Sequence, residues 1–309
     1  WKEIPLPVTE LTGEFELDAA GAVALRHLQG KTNGAEVEIH GTVTPALTSL
    51  HVDAVGLTLD KEVRAALPAS LRKVVEGLRL FGTVSFNSTV KLKPGGEAQA
   101  DVVLRLTKAV IETEPRFEDL EGTLSLTSFM SETTLMQGSV SLTRASILGK
   151  HLTDLTASVN MNGPRLNFVN IKATAYGGLI AGESFGIDVD SGSFFGQLFT
   201  VDRLDLAEFA KDTGGFKQKT LAGRASLELR DFQGRAGDGA SLSGAGRLRI
   251  RDGELWDIPI FLSVFQLNPQ DVFKGKNAFE AGAVDFELKG QKFLLSKLAF
   301  TSETSSIVG

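Results

Sequence analysis

Apolar and polar residues alternate with period two along almost the whole chain from residue 35 onward, and this constrains the fold more than any other feature. Period two is the strand signal, because successive side chains of an extended backbone point to opposite faces. Ala35, Val37, Ile39 and Val43 face one way, while Glu36, Glu38, His40 and Thr42 face the other. The apolar register recurs at Val84 and Phe86, at Val102, Leu104 and Leu106, at Leu124 and Leu126, and at Val140 and Leu142. It continues at Val159, at Leu227 and Leu229, and at Leu248 and Ile250. Turn signals such as Pro94-Gly95-Gly96, Asn162-Gly163-Pro164 and Asp252-Gly253 separate the runs.

Strands repeating roughly every 10 to 16 residues indicate an antiparallel meander, since parallel crossovers need a helix between strands. One apolar face per strand means that one side of the sheet is covered and the other is wet. Gly41, Gly82, Gly122, Gly138, Gly223, Gly244 and Gly246 fall in the apolar register, where glycine marks bends and bulges. The expected fold is mainly β: a long, curved antiparallel sheet with a few short helices. A second sheet, closure into a barrel, or a ligand could each cover its apolar face.

Three stretches interrupt the alternation. Glu62 to Leu80 carries Leu71, Val74, Val75 and Leu78 at helical spacing. Asp205 to Lys211 is short, with Asp205 and Glu208 spaced as a capping box and Gly214-Gly215 as a stop. Leu255 to Phe273 holds the most apolar run of the chain, which is too short to span a bilayer. Expected segments are therefore 1–34, a strand or loop; 35–154, with a helical insertion near 61–80; and 155–309, with helices near 205–212 and 258–275.

Composition excludes several function classes. A net charge of −6 and a pI of 5.4 disfavour nucleic acid, which selects basic stripes. The absence of cysteine removes disulfides, thiolate metal sites and cysteine nucleophiles. Only 7% of residues are aromatic, which disfavours a membrane barrel with aromatic girdles. Trp1 and the strand-like Ser305–Gly309 suggest that both ends are cut, with any targeting segment or anchor outside this sequence.

Catalytic patterns are sparse. Gly182-Glu183-Ser184-Phe185-Gly186 matches the G-x-S-x-G elbow, but strand alternation through Ile187 and Val189 follows where a helix belongs. Gly244-Ala245-Gly246 opens like a dinucleotide fingerprint, yet Arg249 stands at the third glycine. His27, His40, His51 and His151 show no metal-ligand spacing, and His40 and His51 read as solvent-facing. Asp188 and Asp190 form a carboxylate pair on a strand, and Asn87-Ser88-Thr89 is a formal glycosylation sequon. No catalytic residue, metal or cofactor is expected.

Leu242-Ser243-Gly244-Ala245-Gly246-Arg247-Leu248-Arg249-Ile250-Arg251-Asp252-Gly253-Glu254-Leu255-Trp256-Asp257-Ile258-Pro259 resembles the G-x-G-x-L-x-I-x-D-G-x-L-x-x-I-P signature of AsmA-like proteins. Ala173-Thr174-Ala175-Tyr176-Gly177-Gly178 and Val201 to Leu206 resemble further steps of that family, whose pattern covers 155–309 well and 35–154 more loosely. The resemblance implies a taco-like β-groove in the periplasm of a Gram-negative-type envelope, anchored to the inner membrane by an N-terminal helix lacking here. It implies phospholipid transfer between inner and outer membranes, with other envelope proteins as further partners. The apolar register from Val37 to Ile250 would line the groove. Ile258, Phe261, Leu262 and Phe265 would lie on a helix closing one end. The rival reading is an outer-membrane protein assembly factor or envelope scaffold acting by strand pairing at an open sheet edge.

Overall fold

The computed structural model describes residues 7–67, 72, 75–94, 98–112, 116–130, 135–147, 149–213, 222–252, 281–301 and 306–309. The fold is mainly β. Its strands are β1 (Thr9–Leu17), β2 (Val23–Thr32), β3 (Ala35–Val43), β4 (Thr48–Thr58), β5 (Leu80–Leu92), β6 (Ala98–Ile111), β7 (Phe117–Met130), β8 (Leu135–Ile147) and β9 (Lys150–Asn162). They continue as β10 (Arg165–Ala175), β11 (Gly178–Asp188), β12 (Ser193–Asp205), β13 (Arg224–Arg235), β14 (Asp238–Arg251), β15 (Ala281–Lys289), β16 (Lys292–Thr301) and β17 (Ser306–Val308). Helices with bounds among the described residues include α1 (Lys61–Ala66) and α2 (Leu206–Thr213).

Two compact units divide the chain. The first comprises 1–148, 154–168 and 187–192, and the second 149–153, 169–186 and 193–309. The boundary thus falls within β9 to β11 instead of cleanly after residue 154. Thr9 to Thr32, expected only as a strand or loop, form two full strands of the first unit.

In the first unit β1 to β8 pair in chain order, each antiparallel to the next. In the second unit β12 to β17 do the same. Hairpin connections dictate this, since a short turn can only return the chain beside itself.

The strands bend at bulges whose extra residue has left-handed backbone. In β2 the partners of Leu25 and Leu28 are Gly41 and Ile39, so Arg26 and His27 together oppose the single His40, with His27 at φ 46°. Gly56 in β4 (φ 76°), Lys108 in β6 (φ 50°), Asp119 in β7 (φ 51°), Arg203 in β12 (φ 54°) and Asp231 in β13 (φ 49°) mark equivalent insertions. Such bulges bend a strand and strengthen its twist, the means by which sheets acquire curvature. The apolar-register glycines contribute at the close approaches. A Cβ on Gly122 (φ 148°) would sit 2.2 Å from the Ser141 carbonyl oxygen, and one on Gly41 (φ 146°) 2.1 Å from that of Ser49. Gly223 lies just before β13 and not within a strand.

α1 begins at Asp60, whose carboxylate accepts the Val63 amide at 2.8 Å; that bond holds the Asp60 carboxyl below the usual carboxylate range. In α2, Asp205 accepts the Ala207 and Glu208 amides at 2.9 and 3.1 Å, so it serves as the N-cap. The reciprocal half of the expected capping box is absent, because the Asp205 amide donates to the Tyr176 carbonyl at 2.8 Å.

Candidate functional site

Register converts the alternation of single strands into continuous apolar rows across each sheet. In the first unit one row runs Gly30, Val37, Ala54, Phe86, Leu104, Leu124, Val140, each directly opposite the next. A neighbouring row runs Leu28, Ile39, Val52, Ser88, Val102, Leu126, Gly138, interrupted by the buried hydroxyl of Ser88, and another Leu57, Val84, Leu106, Gly122, Leu142. In the second unit Val201, Leu227, Leu248, Val284 and Leu298 form one row, and Phe199, Leu229, Gly246, Phe286 and Leu295 the next. Opposed residues share a face, so the rows lie on one side of each sheet.

The rows are not uniformly covered. Val37, Val84, Val102, Leu106, Leu126, Leu142, Val159 and Ile250 are buried. Ile39, Val43, Phe86, Leu104, Leu124, Val140, Leu227, Leu229 and Leu248 are only half-buried. An apolar strip that keeps partial contact with water along its middle row differs from a closed core, whose members are sealed on all sides.

Helical segments cover part of each face. In the first unit Val63 of α1 is fully buried, and Arg64 lies over the Phe81 ring at 4.4 Å. Leu78, just before β5, packs on the cluster of Leu126, Met136, Val159, Met161 and Leu166. A Cβ on Gly77 would approach that of Val189 to 2.7 Å, so this turn is held tightly over the strands. In the second unit Leu206 and Ala210 of α2 pack against Ala225, Ile250, Val284, Phe286 and Phe300. Ile258, Phe261, Leu262 and Phe265, expected to close one end of the face, lie outside the described residues.

α2 is also fastened from its other side. The Tyr176 hydroxyl donates to Asp212 and accepts the His151 amide at 3.2 Å, while its ring meets Phe209 edge-on at 5.4 Å. Burial, then the bond to Asp212, pushes the Tyr176 hydroxyl up to about 12. Tyr176 is the only tyrosine in the chain, so tyrosinate absorbance reports on it alone. A spectrophotometric titration should therefore reach its midpoint near pH 12, and Asp212→Asn should move it down. Because the folded-state value is raised, the stabilisation is complete below the ordinary tyrosine range and fades as pH rises through about 12. A midpoint near 10, unmoved by the substitution, would show that Tyr176 does not fasten α2.

The opposite face is polar and carries ladders of its own. Glu228, Arg247, Asp285 and Lys297 stand opposite one another on successive strands, and Arg247 Nη2 donates to Asp285 at 2.7 Å. That bond holds the Asp285 carboxyl low. His27, His40 and His51 form a second ladder across β2 to β4, with ring centroids 6.4 and 4.6 Å apart. Glu38 meets His27 at 2.8 Å and Asp53 meets His51 at 3.1 Å. His51 is half-buried, against the solvent-facing expectation, because Asn87 and Thr89 of β5 flank it. Among the described residues no group of three His, Asp or Glu side chains has the arrangement of a metal site.

The remaining sequence motifs fall into ordinary β roles. Ser184 sits within β11 and donates to Gln197 of β12 at 3.1 Å, so its backbone is a ladder strand and not an elbow. Gly244 and Gly246 lie within β14, where Gly246 leaves room for the Phe286 ring. Asp188 accepts the Asp190 and Ser191 amides at 3.1 and 2.9 Å, and these bonds hold its carboxyl low while it shapes the turn before β12. Asn87 lies in mid-strand with its amide donating to Asp53 at 2.6 Å. No helix among the described residues is long and apolar enough to cross a membrane. No family model matches the chain, and neither a curated protein nor a solved structure matches it.

Proposed function

We propose that the chain binds the acyl chains of phospholipid along its apolar rows and passes lipid between the inner and outer membranes of a bacterial envelope, without catalysis. The register-aligned, half-buried row from Phe86 to Val140 carries this reading. The half-buried part of the row, from β5 to β8, spans three steps of about 4.8 Å, or about 14 Å; with the buried Val37 and Ala54 the seven strands β2 to β8 give six steps, or about 29 Å of row. That is roughly the hydrocarbon thickness of a bilayer and twice one leaflet's chains. Three such rows, about 6.7 Å apart, make a face about 13 Å across, enough for two acyl chains side by side.

Burial of an acyl chain gains about 0.8 kcal/mol per methylene, so even a partly covered chain is held. Every residue of the middle row is apolar, so sliding by one strand along it exchanges one set of apolar contacts for another. The resemblance to AsmA-like proteins supports the periplasmic setting, inner-membrane anchoring and the phospholipid as cargo. Mass spectrometry of organic extracts from gently purified protein should find glycerophospholipid in stoichiometric amount. Extracts free of lipid, or holding only detergent, would refute the reading.

A further inference from the structure

We infer that the wet face of the second unit, at the Arg251 end of β14, docks on the headgroups of an anionic bilayer. Charge is split unevenly between the units. The first holds 15 Lys and Arg against 22 Asp and Glu, whereas the second holds 17 against 16. The excess acid of the chain therefore belongs to the first unit, and the second is the one that can meet a negative surface without long-range repulsion.

Within the second unit the rows of the wet face differ. Glu228, Arg247, Asp285 and Lys297 alternate in sign, so each charge faces its opposite across the strands. The next row runs Ser226, Arg249, Ala283, Ala299 and holds a cation with no acid. In the row beyond, Arg224 stands directly opposite Arg251, a like-charge pairing that destabilises a sheet. Nearby acids are already engaged: Asp202 by Arg203 at 3.1 Å, Asp205 by Arg224 at 3.6 Å, Asp285 by Arg247 and Glu228 by Arg230. Arg249 and Arg251 are exposed and, among the described residues, form no ion pair, not even with the adjoining Asp252.

Small neighbours keep this part of the face low. Ala283 and Ala299 continue the Arg249 row, so a phosphate can approach the guanidinium groups without meeting a long side chain. A net charge of +1 is too small for nucleic acid, which takes a continuous basic stripe. A few arginines suffice for reversible contact with a surface that presents phosphate at every headgroup. The inference rests on the membrane setting proposed above, but on the face opposite the cargo rows.

Flotation of the whole chain with vesicles tests it. Binding to phosphatidylglycerol vesicles should exceed binding to phosphatidylcholine vesicles at least about tenfold, and the preference should fade at high salt. Arg249→Gln with Arg251→Gln should abolish the preference, while circular dichroism and the phospholipid in organic extracts stay unchanged. Arg26→Gln with Arg144→Gln removes the same charge from the first unit and should change little. The inference is overturned if the whole chain shows no preference, if both double variants lose it equally, or if the Arg249/Arg251 variant keeps it. Equal affinity for an oligonucleotide, or salt-sensitive self-association through this face, would overturn it too. Vesicle binding by a chain whose extracts hold no lipid would sustain this surface while refuting the cargo.

Discussion

Replacing Leu104 and Leu124 together by aspartate should leave the sheet folded and empty it of lipid. The two residues face each other across β6 and β7 in the middle of the half-buried row. A carboxylate at either place can reach water when no lipid is present, so the desolvation penalty that makes a buried charge ruinous is largely avoided. With an acyl chain in the row, the same carboxylates would have to be stripped of water against methylenes. Lipid should then be lost from organic extracts, while circular dichroism and thermal melting change little. Val84→Asp and Val284→Asp provide the contrast. Those valines are 2 and 1% exposed, so an aspartate there is buried without a partner, costs several kcal/mol and should unfold its unit. Should the Leu104/Leu124 variant also prove insoluble or molten, the apolar face is an ordinary core and the lipid reading loses its physical basis.

The distinction between those two kinds of position was not legible in the sequence. Period-two alternation identifies which residues share a face, and Val84 and Leu104 look alike in it. Their difference in burial depends on tertiary packing, which no local pattern reports. The face itself was legible, because most strands from β3 onward alternate apolar with polar residues over most of their length. The bulges were half legible. Each leaves a slip in the alternation, as between Ala54 and Leu57, Leu106 and Ala109, or Val201 and Leu204. Glycine marks the slip only at Gly56, whereas Lys108 and Arg203 adopt left-handed backbone that their side chains do not advertise. The histidine ladder was invisible for another reason. His27, His40 and His51 are 13 and 11 positions apart, and only strand register stacks them.

Gly122→Val should destabilise the first unit by about 3 kcal/mol or more, as a strained backbone combined with a buried clash does. Gly122 has φ 148°, which a β-branched residue strongly disfavours, and it stands opposite the buried Leu106 and Leu142. An added Cβ would meet the Ser141 carbonyl oxygen at 2.2 Å and the Leu142 Cα at 2.6 Å. Both are backbone atoms of the adjoining strand and cannot swing aside as a side-chain tip would. Relief requires the two strands to part, which lengthens the ladder hydrogen bonds just where the sheet bends. Gly34→Ala separates this effect from backbone strain alone. Gly34 also has positive φ, 79°, but a Cβ added there would meet nothing within 4 Å, so its substitution should cost only about 1 kcal/mol. Urea unfolding of both variants, with hydrogen exchange followed across β6 to β8, measures the difference. If the two substitutions cost the same, the close approach at Gly122 contributes nothing, and the bend must be held by the bulges without it.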